Sequence, residues 1–234
     1  GRLVERRCPG AARLLTTVWL LKSSFALRGL LEAADRVVRA VDRDDLSAAR
    51  AALPWLVSRP VDDLDRAHIC SATIESLAEN LADSYLGPLA AYSLGGLPMA
   101  LAYRVVNTAD AMLGYHGQLE HLGKASAWLD DVANLVPSRL TAALVVVAAP
   151  VVGLPASSAA RIALRDARLT ASPNAGWPMA AAAGALGVWL EKLGTYRLGD
   201  GGTPDVRHVV AARRLVLAAA GLATAVFFAR DATR

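Results

Sequence analysis

Three short stretches of this chain gather carboxylates and side-chain amides that packing alone does not require. The first, Ile74 to Asp83, holds Glu75, Glu79, Asn80 and Asp83. The second, Asn107 to Tyr115, holds Asn107, Thr108, Asp110, Gly114 and Tyr115; the third, Leu129 to Arg139, holds Asp130, Asp131, Asn134 and Arg139. On a helix, Glu75, Glu79 and Asp83 fall at i, i+4 and i+8 and share one face, where each like-charged neighbour costs a few tenths of a kcal/mol. Such a face implies a partner of positive charge.

The elements that must position these clusters are strongly apolar. The chain has 234 residues, 54% of them hydrophobic, and a positive mean hydropathy, too apolar for an average soluble domain of this size. Leu140 to Ala160 carries no charge over the roughly 20 residues that a bilayer core asks of a helix. Further apolar segments run from Tyr85 to Tyr103, Leu215 to Ala229, Leu14 to Leu31 (interrupted by Lys22 and Arg28) and, shorter, Trp177 to Leu190. Trp19, Trp177 and Trp189 sit near segment ends, as in interfacial belts. An alanine-rich soluble bundle is the competing reading, against which stands the unbroken run Leu144 to Val147. No signal peptide is apparent, since the chain opens on Gly1-Arg2-Leu3-Val4-Glu5-Arg6-Arg7 and reads as starting mid-sequence.

Cys8 and Cys70 are isolated, and His68, His116, His121 and His208 are scattered, so neither set has metal spacing. The formal net charge of +4 is modest and the arginines are not interleaved with aromatics, which argues against a nucleic-acid surface. Residues 32 to 83 hold 11 of the 21 acids. Within them, Leu30 to Leu53 has the periodicity of an amphipathic helix or helical pair ended by Pro54 and Pro60. Asp62 or Asp63 then caps a helix over about 65 to 83. No strand alternation stands out. The expected class is all-α: a single domain over 1 to 234, a polytopic integral membrane helical bundle with re-entrant or broken helices. Residues 32 to 83 form its polar helical segment, and residues 107 to 139 a motif loop on the cytoplasmic face.

The middle of that bundle holds a conflict. If Tyr85 to Val106 crossed the bilayer once, the first cluster would be separated from the other two. Gly95-Gly96-Leu97-Pro98, at the middle of that segment, is where a helix breaks most readily, so a re-entrant helical hairpin is expected. Pro150 and Gly153-Leu154-Pro155 suggest the same, more weakly, for Leu140 to Ala160.

In order along the chain, Glu75 to Asp83, Pro88-Leu89, Gly95-Gly96, Tyr103-Arg104, Asn107-Thr108 with Asp110, Gly114-Tyr115, Gly123, Asp130-Asp131 with Asn134, Pro137 with Arg139, and Ser172-Pro173-Asn174-Ala175-Gly176 are similar to the motifs of the CobD/CbiB family of cobalamin biosynthesis. The resemblance covers roughly Gly29 to Val206. It departs from the family pattern at Ser58-Arg59-Pro60, where the family usually reads Gly-Arg-Asp, and at Ala109-Asp110, where it reads Leu-Asp. It also lacks the family's opening hydrophobic segment and Gly-Asp-Pro motif. The resemblance implies a multi-pass protein of the cell inner membrane with its site facing the cytoplasm. The implied activity is that of an adenosylcobinamide-phosphate synthase, a ligase joining aminopropanol or its phosphate to a carboxylate side chain of adenosylcobyric acid with ATP. Self-association or contact with other corrinoid-pathway enzymes is a further expectation.

That chemistry accounts for the residue types. An unreactive carboxylate needs activation, most simply by phosphoryl transfer from ATP, and the triphosphate needs Mg2+ on hard oxygen ligands. Glu75, Glu79, Asp83, Asp130 and Asp131 are the candidate catalytic acids, with Glu75, Glu79, Asp83 and Asp131 foremost as metal ligands. Asn80, Asn107, Asn134 and Asn174 can both donate and accept hydrogen bonds and are expected to line a cleft for the amide-rimmed corrin. Arg59, Arg104 and Arg139 are candidates to offset phosphate charge. Thr108, Asp110 and Tyr115 complete the candidate binding set, and Gly114 and Gly176 are expected to let backbone approach a ligand. Two readings compete: a transporter or corrinoid-binding scaffold whose acids bind a cation or ligand within its apolar spans, or helix-to-helix hydrogen bonding alone.

Overall fold

The computed structural model describes residues 10–113 and 120–232, and in them the chain is an assembly of helices with one small hairpin of strands. α1 is Gly10–Ser23, α2 Leu27–Asp42, α3 Leu46–Ala52 and α4 Arg66–Leu81. α5 is Gly87–Leu113, α6 Glu120–Ala148, α7 Ala156–Asp166, α8 Gly176–Leu186 and α9 Val206–Ala232. β1 (Leu190–Lys192) pairs antiparallel with β2 (Tyr196–Leu198) between α8 and α9. This hairpin is absent from the expected pattern because three-residue strands carry too little alternation to register.

α4 is the central element. Its residues from Ile69 through Ala78 are buried, polar ones included, and Ile74, Leu77 and Leu81 pack into one apolar cluster with Leu215 and Val216 of α9 and Met179 of α8. The cap that starts α4 is Asp65 and not Asp62 or Asp63, because Asp65 has the extended backbone an N-cap needs and its Oδ1 accepts from the His68 N–H at 2.8 Å. The amphipathic stretch before it is the helical pair α2 and α3, with Asp45 capping α3 through Ala48 N–H at 2.8 Å. α8 is buried apart from the half-exposed Trp177 and ends at Leu186, so the apolar segment Trp177 to Leu190 is a short core helix running into β1 and not a span. It lies so close to α7 that a Cβ at Gly184 would meet the Ser158 carbonyl oxygen.

α5 folds back on itself. Gly95 and Gly96 leave helical geometry, and Gly96, at φ 64° and ψ −158°, occupies a region that side chains beyond glycine essentially do not enter. Gly87 and Tyr103 would lie about 24 Å apart on a straight helix. Here a Cβ at Gly87 would run into the Tyr103 hydroxyl, so the two legs are in contact and the expected hairpin is the observed chain path. Leu140 to Ala160 is likewise not one helix. α6 closes through a 3-10 turn at Ala149–Val152, Gly153 takes a left-handed conformation, and α7 begins after Pro155.

Among the described residues, four helical stretches are long and apolar enough to cross a membrane: Gly10–Asp42, Arg66–Met112, Gly123–Val152 and Val206–Ala229. The second contains the Gly95–Gly96 reversal and cannot be a single traverse. Leu14, Trp19, Leu94, Val105, Val136 and Phe228 are exposed on these stretches, a distribution suited to lipid and costly in water.

A polar clamp joins α7 to the β hairpin. The buried Asp166 carboxylate accepts from Arg165 Nε at 2.6 Å and from the Gly199 N–H at 2.7 Å, tying α7 to the end of β2. Arg165's hydrogen bonds hold the Asp166 carboxyl below its ordinary value, aided by the Gly199 N–H. A depressed folded value means the contribution is complete above the unfolded aspartate value of about 4. It is lost as pH falls through the lower folded value. Asp166→Asn should therefore cost about 1–3 kcal/mol at neutral pH and weaken the acid dependence of unfolding in detergent below about pH 4, read by tryptophan fluorescence. An unchanged acid limb would remove Asp166 from this role.

Candidate active site

The Gly95–Gly96 reversal brings all three acid-and-amide clusters to one cavity of about 360 Å3. Glu79, Asn80 and Asp83 reach it from α4 and the turn of π-helix at Ala82–Leu86 that follows; Asn107 and Asp110 come from the returning leg of α5. Asp130, Asp131 and Asn134 come from α6 and Asn174 from the segment before α8. Residues 107 to 113 and 120 to 139 are helical and not a loop, which is a correction with a reason: helices hold these side chains in fixed register where a loop would not. The wide turn at Ala82–Leu86 shifts the register just where Asp83 must face the cavity, a use to which such turns are often put.

The amides hold this wall together. Asn134 Nδ2 donates to Asp130 Oδ2 at 3.0 Å, Asn107 Nδ2 donates to Asp130 Oδ1 at 3.1 Å, and the Tyr103 hydroxyl donates to Asn134 Oδ1 at 2.6 Å. Asn174 Nδ2 donates to the Asp131 carbonyl at 2.8 Å and its Oδ1 accepts from Arg139 at 3.1 Å. Asp130 is thus fixed by two donors. Glu79, Asp83 and Asp110 have no hydrogen bond or ion pair among the described residues. Five carboxylates line this cavity, and no lysine or arginine is part of its lining. Unlike charges a few ångströms away, or a bound cation, are what such a site needs.

A second cavity of about 360 Å3 adjoins the first through Glu79, Ser172 and Ala175. Arg59, Glu75, Lys192 and Tyr196 line it. Glu75 is fully occupied: Arg59 pairs with it at 3.1 Å, the Ser71 hydroxyl donates at 2.7 Å and the Tyr196 hydroxyl at 2.9 Å. Burial and the Glu75 carboxylate push the Tyr196 phenol well above its ordinary value, so it stays protonated and keeps donating. Glu75 therefore shares the helix face with Glu79 and Asp83, but its oxygens anchor the Arg59 segment and the β hairpin. Among the described residues no three His, Cys, Asp or Glu side chains form a ready-made metal cluster.

Several candidates lie elsewhere. Arg104 donates to Asn107 at 3.2 Å from outside the cavity lining. Thr108, one residue on from Asn107 and so rotated about 100° around the helix, is exposed and away from it. Gly176 serves packing, since a Cβ there would strike the Ala167 carbonyl oxygen. Gly114, Tyr115 and His116 fall outside the described residues. Tyr196 and Lys192 were not legible as site residues because the β hairpin that carries them was not; Leu190, Lys192, Tyr196 and Leu198 around the left-handed Gly194 were the available signal.

A sequence model of the CobD/Cbib protein family matches residues 3–222. The chain belongs to that family. Among family relatives, the cobalamin biosynthesis protein CobD of Dehalococcoides mccartyi strain CBDB1 is 41% identical over 208 residues, which is 89% of this chain and 68% of the relative. The probable cobalamin biosynthesis protein CobD of Methanothermobacter thermautotrophicus is 46% identical over 188 residues, 80% of this chain and 63% of the relative. The CobD of Geobacter metallireducens is 46% identical over 173 residues, 74% of this chain and 54% of that protein. The chain thus spans between about half and two thirds of these CobD proteins. No solved structure matches it.

Proposed function

We propose that the chain acts in cobalamin biosynthesis as a membrane-embedded ligase, joining aminopropanol or its phosphate to a carboxylate of adenosylcobyric acid with ATP. The observation that carries this reading is the cavity that unites five carboxylates and four asparagines from elements far apart in sequence. The amide-lined wall suits a corrin with amides around its rim. The unpartnered carboxylates suit Mg2+ that arrives with a nucleotide's phosphates, because Mg2+ commonly uses one or two protein carboxylates and keeps water and phosphate for the rest. Asp83 and Asp110 would hold it, with Asp130 and Asp131 beside them; when bound it would neutralise phosphate charge. Glu79, which lines both cavities, would take the proton that an amine loses as it attacks an activated carboxyl. Lys192 and Arg59 in the adjoining cavity offer cations to an anionic substrate group. A cytoplasmic opening in the inner membrane fits the need for ATP.

One observation favours the competing transporter or scaffold reading: Glu75, Glu79, Asp83 and Asp110 lie within the apolar stretch Arg66–Met112, and not in loops. Incubation of the purified protein with adenosylcobyric acid, ATP, Mg2+ and either amine, followed by mass spectrometry, separates them. The ligase reading expects adenosylcobinamide or its phosphate with stoichiometric ATP cleavage. Saturable corrinoid binding with no ATP cleavage under any amine would leave the scaffold.

A further inference from the structure

A third cavity, of about 350 Å3, opens beside the other two and has the opposite charge. Arg139, Arg168, Thr170, Ser172 and Trp177 line it, and no carboxylate does. Arg139 is positioned by neutral acceptors, with no acid among the described residues to neutralise it. Nη1 donates to the Leu135 carbonyl at 2.7 Å, to Asn174 Oδ1 at 3.1 Å and to Ser138 Oγ at 3.2 Å, Nη2 donates to the Pro173 carbonyl at 3.4 Å, and the group lies 5.2 Å from the Trp177 ring centroid. Arg168 is exposed and has no acidic partner among the described residues, although Arg161 and Arg165 on the preceding helix are both paired with Asp200. The Ser172 hydroxyl oxygen accepts from the N–H groups of Asn174 and Ala175, and its own proton is directed to the Asp131 carboxylate. Ser172 also lines all three cavities.

We propose that Arg139 and Arg168 form a phosphate subsite for an ester or anhydride phosphate. Planar guanidinium groups match phosphate oxygens, and two of them beside one cavity supply charge-assisted donors to several oxygens at once. In the ligase reading, on which the ligand's identity rests, the subsite takes the polyphosphate tail of the nucleotide while the acid-lined cavity takes its cation, the two meeting at Ser172. A lipid headgroup phosphate has the same chemistry, and Trp177 beside two arginines would suit one as well.

The probes are pyrophosphate and tripolyphosphate, titrated calorimetrically into the purified full chain in detergent at constant ionic strength, so that turnover plays no part. Saturable binding is expected, weakened about tenfold or more by Arg168→Ala, whose side chain supports nothing else in the fold. Arg139→Lys, which keeps charge but loses the fork, should weaken it as well. The titration is repeated in nanodiscs of phosphatidylcholine with and without phosphatidylglycerol. Binding that survives the anionic lipid identifies a soluble phosphate as the ligand, whereas competition by the lipid identifies the headgroup; either result supports the subsite. Wild-type affinity in Arg168→Ala, or no saturable binding by the wild-type chain, would overturn it, whether or not the protein proves to be a ligase.

Discussion

Replacing Glu79 by glutamine should lower turnover by about two to four orders of magnitude, the range over which a positioned proton acceptor contributes, while leaving the protein folded. The amide has the volume of the carboxylate but cannot accept a proton at neutral pH. No hydrogen bond among the described residues depends on the charge, so the loss should appear in kcat more than in thermal stability. Glu75→Gln is the informative contrast. Its carboxylate is held by Arg59, Ser71 and Tyr196, so this change should reduce stability by about 3–5 kcal/mol, as breaking a buried pair does, together with activity. Steady-state kinetics and thermal melts on both variants check the pair. Wild-type turnover in Glu79→Gln would remove that residue from catalysis.

Gly96→Val is expected to abolish activity by a different route. Its backbone angles exclude a β-branched residue, and relieving that strain, about 1–3 kcal/mol by itself, would reopen the reversal between the legs of α5. Asn107 and Asp110 would then leave Asp83, and Asp130 would lose one of its two amide donors. Gly221→Ala is the control, because that glycine lies in α9 with open space around it and alanine favours a helix by roughly 0.5–1 kcal/mol. Full activity in Gly96→Val would mean that the reversal is not needed to assemble the site.

The hairpin was legible because it is a matter of local chain stiffness: two glycines and a proline in the middle of an apolar segment leave few other conformations. The shared face of Glu75, Glu79 and Asp83 was legible from helical spacing alone. Which of the three is free was not, because that depends on Arg59, 16 positions before Glu75, and on Tyr196, 121 positions after it. The same limit explains Gly176, whose need for a bare Cα comes from the Ala167 carbonyl on a neighbouring element and not from a ligand. Residues 107 to 139 read as a loop because their polar side chains, needed by the cavity, interrupt the apolar periodicity that otherwise marks a helix.

The central claim, that one cleft is assembled from α4, α5 and α6 by a reversal of the chain, is tested most directly by a distance. With Cys8 and Cys70 replaced, cysteines introduced at Asp83 and Ala111, both of which line the first cavity, can carry spin labels in the membrane-reconstituted protein. The folded-back chain predicts a narrow distribution well under 20 Å, consistent with two walls of one small cavity. A distribution centred near 40 Å, the length of an unbroken helix over those 28 positions at about 1.5 Å per residue, would contradict it.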